Sequence, residues 1–245
     1  MGKDTWHLLT QYTNARIALG RAGTSLPTHE ILQLRMAHSQ AKDAIRSELD
    51  TIGLTEAFST IGLNTVCVKS QVIDRNDYLR NPNKGRVLDS QSKAAIEVLT
   101  REKVDLCIVV ADGLSANAVN SYALQLIHLL LPQIKDITLS PIVIAKHSRV
   151  ALSDSIGELF NARIALILIG ERPGLSSPNS MGAYLTYQPK TGNTDEKRNC
   201  VSNIHPEGLT CEAASAKLAY LLHQMLIKQI SGVQLKDDHS DTYLT

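Results

Sequence analysis

Two short stretches constrain this chain more than any other feature. Val104 to Ala111 is apolar except at Asp105, and Ile164 to Ile169 carries no polar residue at all. Neither shows the alternation of a strand with one wet face, and both are short for a helix. Such runs predict strands covered on both faces, as in a parallel sheet between layers of helix. Between and around them the period changes to that of helices. Strands alternating with helices predict an α/β fold, Rossmann-like and doubly wound, with a mainly parallel sheet and an N-terminal helical arm.

The individual elements follow from spacing and punctuation. Residues 1–27 form an arm ending in Gly20-Arg21-Ala22-Gly23 and Pro27. Ile31, Leu34, His38, Ala41, Ile45 and Leu49 then recur at helical intervals, predicting a helix over 28–49 capped by Thr28, with a shorter one over 54–60. Leu63 to Lys69 reads as a strand, and the polar stretch from Asp74 to Arg86, with Asn81-Pro82-Asn83, reads as a loop. Further helices are expected over 89–101, from Ser115 to about Ile134, from Ser153 to Phe160, and from Glu212 to Ile230. Ile142 to Ala145 and Ala183 to Tyr187 complete the strands. The region 171–211 is otherwise a long polar loop, and Lys236 to Thr245 is a polar, disordered tail. The domain reading is a helical arm over 1–60, an α/β domain over 61–235 and a tail over 236–245.

Composition narrows the class of function. The 245 residues suit one large domain, or a domain with an arm. With 43% hydrophobic and 20% charged residues the chain needs neither disulfides nor metal to fold. The net charge of +1 and an aromatic content of 4% argue against nucleic acid as a partner. No segment approaches the roughly 20 apolar residues of a membrane helix, and the N-terminus has no signal-peptide core. Cys67, Cys107, Cys200 and Cys211 form no C-x-x-C pair, which reads as reduced thiols in a cytoplasmic protein.

In an open α/β sheet, ligands bind beyond the carboxyl ends of the strands. Three such ends are legible: Asp112-Gly113-Leu114-Ser115, Lys146-His147-Ser148-Arg149-Val150 and Gly170-Glu171-Arg172-Pro173-Gly174. A loop holding Arg198, Asn199, Cys200, Ser202 and Asn203 is expected to fold over them. Each feature has a plainer reading: the glycines as turns, Asp112 and Ser115 as helix caps, Cys200 as a buried thiol. Together the three ends point to a ligand edge. No G-x-G-x-x-G follows a strand, which disfavours a dinucleotide. Gly113-Leu114-Ser115-Ala116-Asn117 lacks the last glycine of a nucleophile elbow, so hydrolysis by Ser115 is an alternative of low weight. The eight histidines are scattered, and no metal site is visible.

The blocks Gly170-Glu171-Arg172-Pro173-Gly174-Leu175 and Arg198-Asn199-Cys200-Val201-Ser202-Asn203-Ile204-His205 carry a resemblance. So do Gly20-Arg21-Ala22-Gly23, His38-Ser39-Gln40-Ala41-Lys42-Asp43, Ala111 to Ser115 and Ser155-Ile156-Gly157-Glu158. In order along about residues 15–232, they resemble the small (light) subunit of ethanolamine ammonia-lyase, an adenosylcobalamin-dependent family. The resemblance implies a hetero-oligomer in which a large subunit holds ethanolamine and this chain covers the cofactor from the other side. It places cofactor contacts at Val150, Glu171 and Cys200 and no catalytic residue or metal ligand on this chain. The cofactor supplies the radical chemistry that yields acetaldehyde and ammonia.

Some cobalamin enzymes replace the lower ligand of cobalt with the histidine of a D-x-H-x-x-G motif. The one D-x-H here, Asp237-Asp238-His239, has Thr242 where glycine belongs. The cofactor is therefore expected base-on, with its own dimethylbenzimidazole as lower ligand. Arm 1–60 is expected to dock on the large subunit. The location implied is cytoplasmic, with a bacterial ethanolamine-utilisation microcompartment as the family's associated enclosure. Two other readings make different predictions: a freestanding hydrolase would act alone through Ser115, and a pure binding module would hold cobalamin without a partner.

Overall fold

A computed structural model describes residues 5–13, 15–100 and 102–237. An arm containing a 3₁₀ turn at Thr5–Gln11 leads into helices α1 (Thr28–Arg46) and α2 (Thr51–Thr60). The α/β body follows as β1 (Thr65–Lys69), α3 (Arg75–Arg80), α4 (Ser90–Leu99), β2 (Val104–Ala111), α5 (Ala116–Leu130), β3 (Ile142–Lys146), α6 (Leu152–Leu159), β4 (Ala162–Gly170), β5 (Met181–Tyr187), β6 (Arg198–Ile204) and α7 (Cys211–Lys228).

The apolar runs behave as their composition requires. In β2, Leu106, Ile108 and Val110 enter one core with α2, α5 and α7, while Cys107, Val109 and Ala111 enter a second with α4 and α6. In β4, Ile164, Leu166 and Leu168 take the first face and Ile167 and Ile169 the second. A strand buried on both sides has no position left for a polar residue, and this explains the absence of alternation.

The sheet order is β1-β3-β2-β4-β5-β6. β1, β3, β2 and β4 pair in parallel, but β4–β5 and β5–β6 are antiparallel. The sheet is thus mixed, which corrects the expectation of a mainly parallel, Rossmann-like sheet. The reason is connection length. Only residues 171–180 join β4 to β5 and only 188–197 join β5 to β6. A parallel crossover needs a dozen residues or more, so the chain reverses instead.

Two other expectations change. The segment Asp74 to Arg86 is not a plain loop: Asp74 Oδ1 accepts from Asp77 N at 2.8 Å and caps α3. Of the stripe predicted for the first helix, Ala41 is buried, with Leu49 just beyond the helix, whereas Leu34 and His38 face outward. The buried face is Ala37, Ala41 and Ala44. All three are small and lie from the middle of the helix onward. The polar tail expected over 236–245 falls almost entirely outside the described residues.

The arm is tied to the body by polar contacts at its far end. Arg75 donates to Ile45 O at 2.7 Å, Gly113 O at 2.9 Å and Leu114 O at 2.9 Å. One guanidinium thereby joins the end of α1 to the turn after β2. Ser47 Oγ accepts from Ala116 N at 2.9 Å, so the α1–α2 link caps α5. Ser115, expected to be that cap, makes no side-chain cap bond.

Candidate functional site

The parallel strands bring their carboxyl ends to one edge, and the three polar ends read from the sequence interlock there. Asp112 does not cap a helix. Its carboxylate accepts from His147 N at 2.8 Å and Ser148 N at 3.0 Å, which holds the β3 end with His147 in the left-handed region at φ 54°. Burial pushes the Asp112 carboxyl up, while those two N–H groups and Arg75 pull it down. Leu114 N donates to Gly170 O at 2.9 Å and joins the β2 end to the β4 end. Gly113 makes that approach possible: its φ is +54°, and a Cβ there would meet Ile169 Cγ1 at 2.5 Å.

A cleft of about 390 Å³ opens along this edge, lined by Tyr78, Gly113, Leu114, Val150, Glu171 and Tyr184 among others. A larger cavity of about 620 Å³ adjoins it and shares Arg149 and Val150. In the first of them Tyr78 is fully buried, its hydroxyl donating to Ser148 O at 2.9 Å. Arg149 stacks 4.2 Å and Arg75 4.8 Å from the Tyr78 ring centroid. Cation–π contacts of this kind hold the two guanidinium groups against the Tyr78 ring.

Val150 and Glu171 therefore line one cleft. Cys200 lies beside it. Its position differs from the expectation, because residues 198–204 are not an overlying loop but the outer strand β6. Cys200 pairs in register with Tyr184, and Tyr184 lines the cleft. Tyr184 is half-buried and Cys200 exposed. Burial still pushes the Cys200 thiol up, as does the nearby Glu171 charge, while a hydrogen bond with Tyr184 opposes them. The thiol stays protonated at neutral pH.

Glu171 leaves β4 at the point where the chain turns back. Its Oε2 accepts from Ser180 Oγ at 2.5 Å and Asn203 N at 3.2 Å. The Asn203 N–H is free for this because the β5–β6 register slips between Met181 and Ala183, and Asn203 takes φ +62°. Tyr184 and Ser180 were not singled out by sequence reasoning, whereas Arg149 lies in the second strand end named from the sequence. Tyr184 carried a readable signal, a polar-tipped aromatic in a strand beside the named ends.

Arg198, expected in the overlying loop, is buried instead. It pairs with Asp154 of α6, donates to Asp195 Oδ1 at 2.8 Å and to Asn193 O at 3.1 Å, and clamps β6 to the helix. Asn199 likewise turns away from the site and binds Leu235 O at 2.9 Å.

The cleft does not support hydrolysis by Ser115. That hydroxyl is fully buried and unpartnered among the described residues. Ser177 does lie 3.2 Å from His205 Nε2, but the same nitrogen faces Asn203 Oδ1 at 2.8 Å. A nitrogen that donates to an amide oxygen is not a base for the serine. Among the described residues, no group of three or more metal-ligating side chains comes together, and no helix is long and apolar enough to cross a membrane.

Fold and site thus define an α/β protein with a candidate ligand cleft at the carboxyl edge of a mixed sheet. A family model described as ethanolamine ammonia-lyase light chain matches residues 3–236. The chain is 44% identical over 236 residues to the ethanolamine ammonia-lyase small subunit of Bradyrhizobium diazoefficiens, covering 95% of this chain and 90% of that protein. It is 46% identical over 240 residues to that of Pseudomonas putida, covering 96% and 88%. For Rhodopseudomonas palustris the figures are 45% over 232 residues, 94% and 89%. The chain belongs to the ethanolamine ammonia-lyase light-chain family.

Proposed function

We propose that this chain is the small subunit of an adenosylcobalamin-dependent ethanolamine ammonia-lyase, a carbon–nitrogen lyase, and that its cleft is one wall of the cofactor site. The relatives' names support the ammonia-lyase reading. The observation that carries the site is the meeting of Val150 and Glu171 in one cleft, with Tyr184 joining them to Cys200.

The residues present suit cobalamin, a wide disc with apolar faces and a rim of carboxamide side chains. Val150 offers an apolar contact, Glu171 a carboxylate acceptor for an amide N–H, and Cys200 a small, weakly polar contact on the open ledge of β6. The cleft and the neighbouring cavity share Arg149 and Val150 in their linings, which suits a ligand broader than either. When bound, the cofactor supplies the radical that converts ethanolamine to acetaldehyde and ammonia. This chain holds the rim in place and excludes water from that side. The substrate-binding residues and the opposite wall belong to the large subunit, and the cofactor keeps its own lower base.

The arm is the element we assign to docking on the large subunit. Leu8, Tyr12, Leu32 and Met36 are exposed on it, and the first half of α1 buries none of its large apolar side chains. We place the assembled enzyme in the cytoplasm.

Reconstitution tests this reading. The chain, a matching large subunit and adenosylcobalamin together should release acetaldehyde from ethanolamine, and omission of any one should abolish it. No activity in the full mixture would defeat the assignment. In the same assay Glu171→Ala should raise the cofactor concentration for half activity about tenfold, the loss expected for one hydrogen bond to a charged group. An unchanged requirement removes Glu171 from the site.

A further inference from the structure

Glu171 presents its two oxygens unequally. Ser180 Oγ and Asn203 N both point to Oε2, at 2.5 and 3.2 Å. Two donors fill the two lone-pair directions of that oxygen. Oε1 accepts from no group among the described residues. It lies over Gly182, where a Cβ would come within 2.8 Å of Oε1 and 3.3 Å of the carboxyl carbon. Ser180 is buried and immediately precedes β5, and Gly182 sits two residues further on, at the register slip. Neither residue is itself among those lining the cleft.

We propose that Ser180 and Gly182 are positioning residues: they fix Glu171 so that Oε1 alone is offered to the ligand, and so make the site selective for a carboxamide N–H over a carboxylate. The proposal rests on the cofactor reading of the cleft. Its physical content is geometric. A carboxylate free to rotate offers either oxygen in many directions, whereas one tied through Oε2 offers a single acceptor in a set direction. A ligand side chain that meets Oε1 must donate. A carboxylate in that place would face like charge.

The test is equilibrium binding of cyanocobalamin, and of its derivatives with one peripheral amide hydrolysed to the acid, by the complex of this chain with its large subunit. Visible difference spectra supply the Kd. The wild-type complex should bind cyanocobalamin at least tenfold more tightly than one of the monoacids, and Glu171→Gln should abolish most of that discrimination. Ser180→Ala should weaken cyanocobalamin binding severalfold and Ser180→Thr should restore it. Gly182→Ala should weaken it more, because the new methyl displaces Oε1. In a Glu171→Ala background Ser180→Ala should cause no further loss, an outcome that a merely structural serine would not produce.

Thermal midpoints check that each variant is folded, and if Gly182→Ala is not, the Ser180 series decides alone. Weak binding by Glu171→Ala with wild-type binding by Ser180→Ala overturns the positioning role and leaves the cofactor site standing. Additive losses in the double variant also overturn it. Wild-type binding by Glu171→Ala defeats the cofactor role of Glu171 itself.

Discussion

Replacing Asp154 by alanine should destabilise the folded chain by about 3–5 kcal/mol, the usual cost of leaving one partner of a buried ion pair uncompensated. The side chains of Asp154 and Arg198 are 1% and 2% exposed, and their contact is very close. Burial pushes the Asp154 carboxyl up to about 6 against the pull of the Arg198 guanidinium, so the pair is strained by desolvation even when intact. Without Asp154 the guanidinium keeps only Asp195, which is 95% exposed, and the carbonyl of Asn193. Its Nε already has no partner. Urea denaturation of the single variant and of Asp154→Leu/Arg198→Met should separate two ideas. If the charges stabilise the fold outright, the double variant is as weak as the single. If the loss comes from the orphaned charge, the double variant recovers most of it, and that is the expected result. Because Arg198 opens β6, the single variant should also loosen the ledge that carries Cys200, seen as faster hydrogen exchange across 198–204.

The second large effect is at Gly170. An added Cβ would overlap the carbonyl of Ser115 and lie 2.5 Å from the Asp112 carbonyl. Both obstacles are backbone, and both belong to the turn after β2 that Asp112 and Arg75 hold in place. Gly170→Ala should therefore cost about 3 kcal/mol or more, at the upper end for overpacking, because no flexible atom can yield. Gly182→Ala is the contrast. The nearest atoms to its new methyl are all in the Glu171 side chain, which can shift, at the expense of its bonds to Ser180 and Asn203, without moving backbone. Stability should fall little there, while ligand binding suffers. Denaturation midpoints for the two variants should differ accordingly; equal losses would mean that the β2–β4 turn gives way more easily than its hydrogen bonds suggest.

Legibility varied along the chain for physical reasons. β2 was readable to the residue, since a strand buried on both faces leaves an uninterrupted apolar signature. β4 was readable in its centre, but its ends at Ala162 and Gly170 were not, because Arg163 and Gly170 carry no strand signal. α3 was hidden by the Asn81-Pro82-Asn83 cluster, which dominated the reading although it only terminates the helix. β6 was unreadable, since Arg198, Asn199, Cys200, Ser202 and Asn203 are polar. An edge strand packed on one side needs few apolar positions, and Val201 and Ile204 supply them. The sheet's mixed direction could not be seen either: β6 was not found, and the ends read for β4 and β5, Ile169 and Ala183, left enough residues between them for a parallel crossover.

All three proposed site residues came from the resemblance, but Val150 and Glu171 also lie in strand ends that the sheet rule had already marked. Cys200 followed from motif resemblance, and its placement on a strand rather than a loop emerged only from pairing with β5.

The sequence by itself determined that this chain makes a two-sided apolar sheet with a polar carboxyl edge, and to which family it is similar. Both depend on residue type in order, which needs no coordinates. Tertiary structure alone decided which atom of Glu171 is free, that Tyr184 joins Cys200 to the cleft, and that Arg198 is a buried clamp. Each of these is set by contacts between residues 9 to 44 positions apart, and no local pattern encodes a distance across the fold.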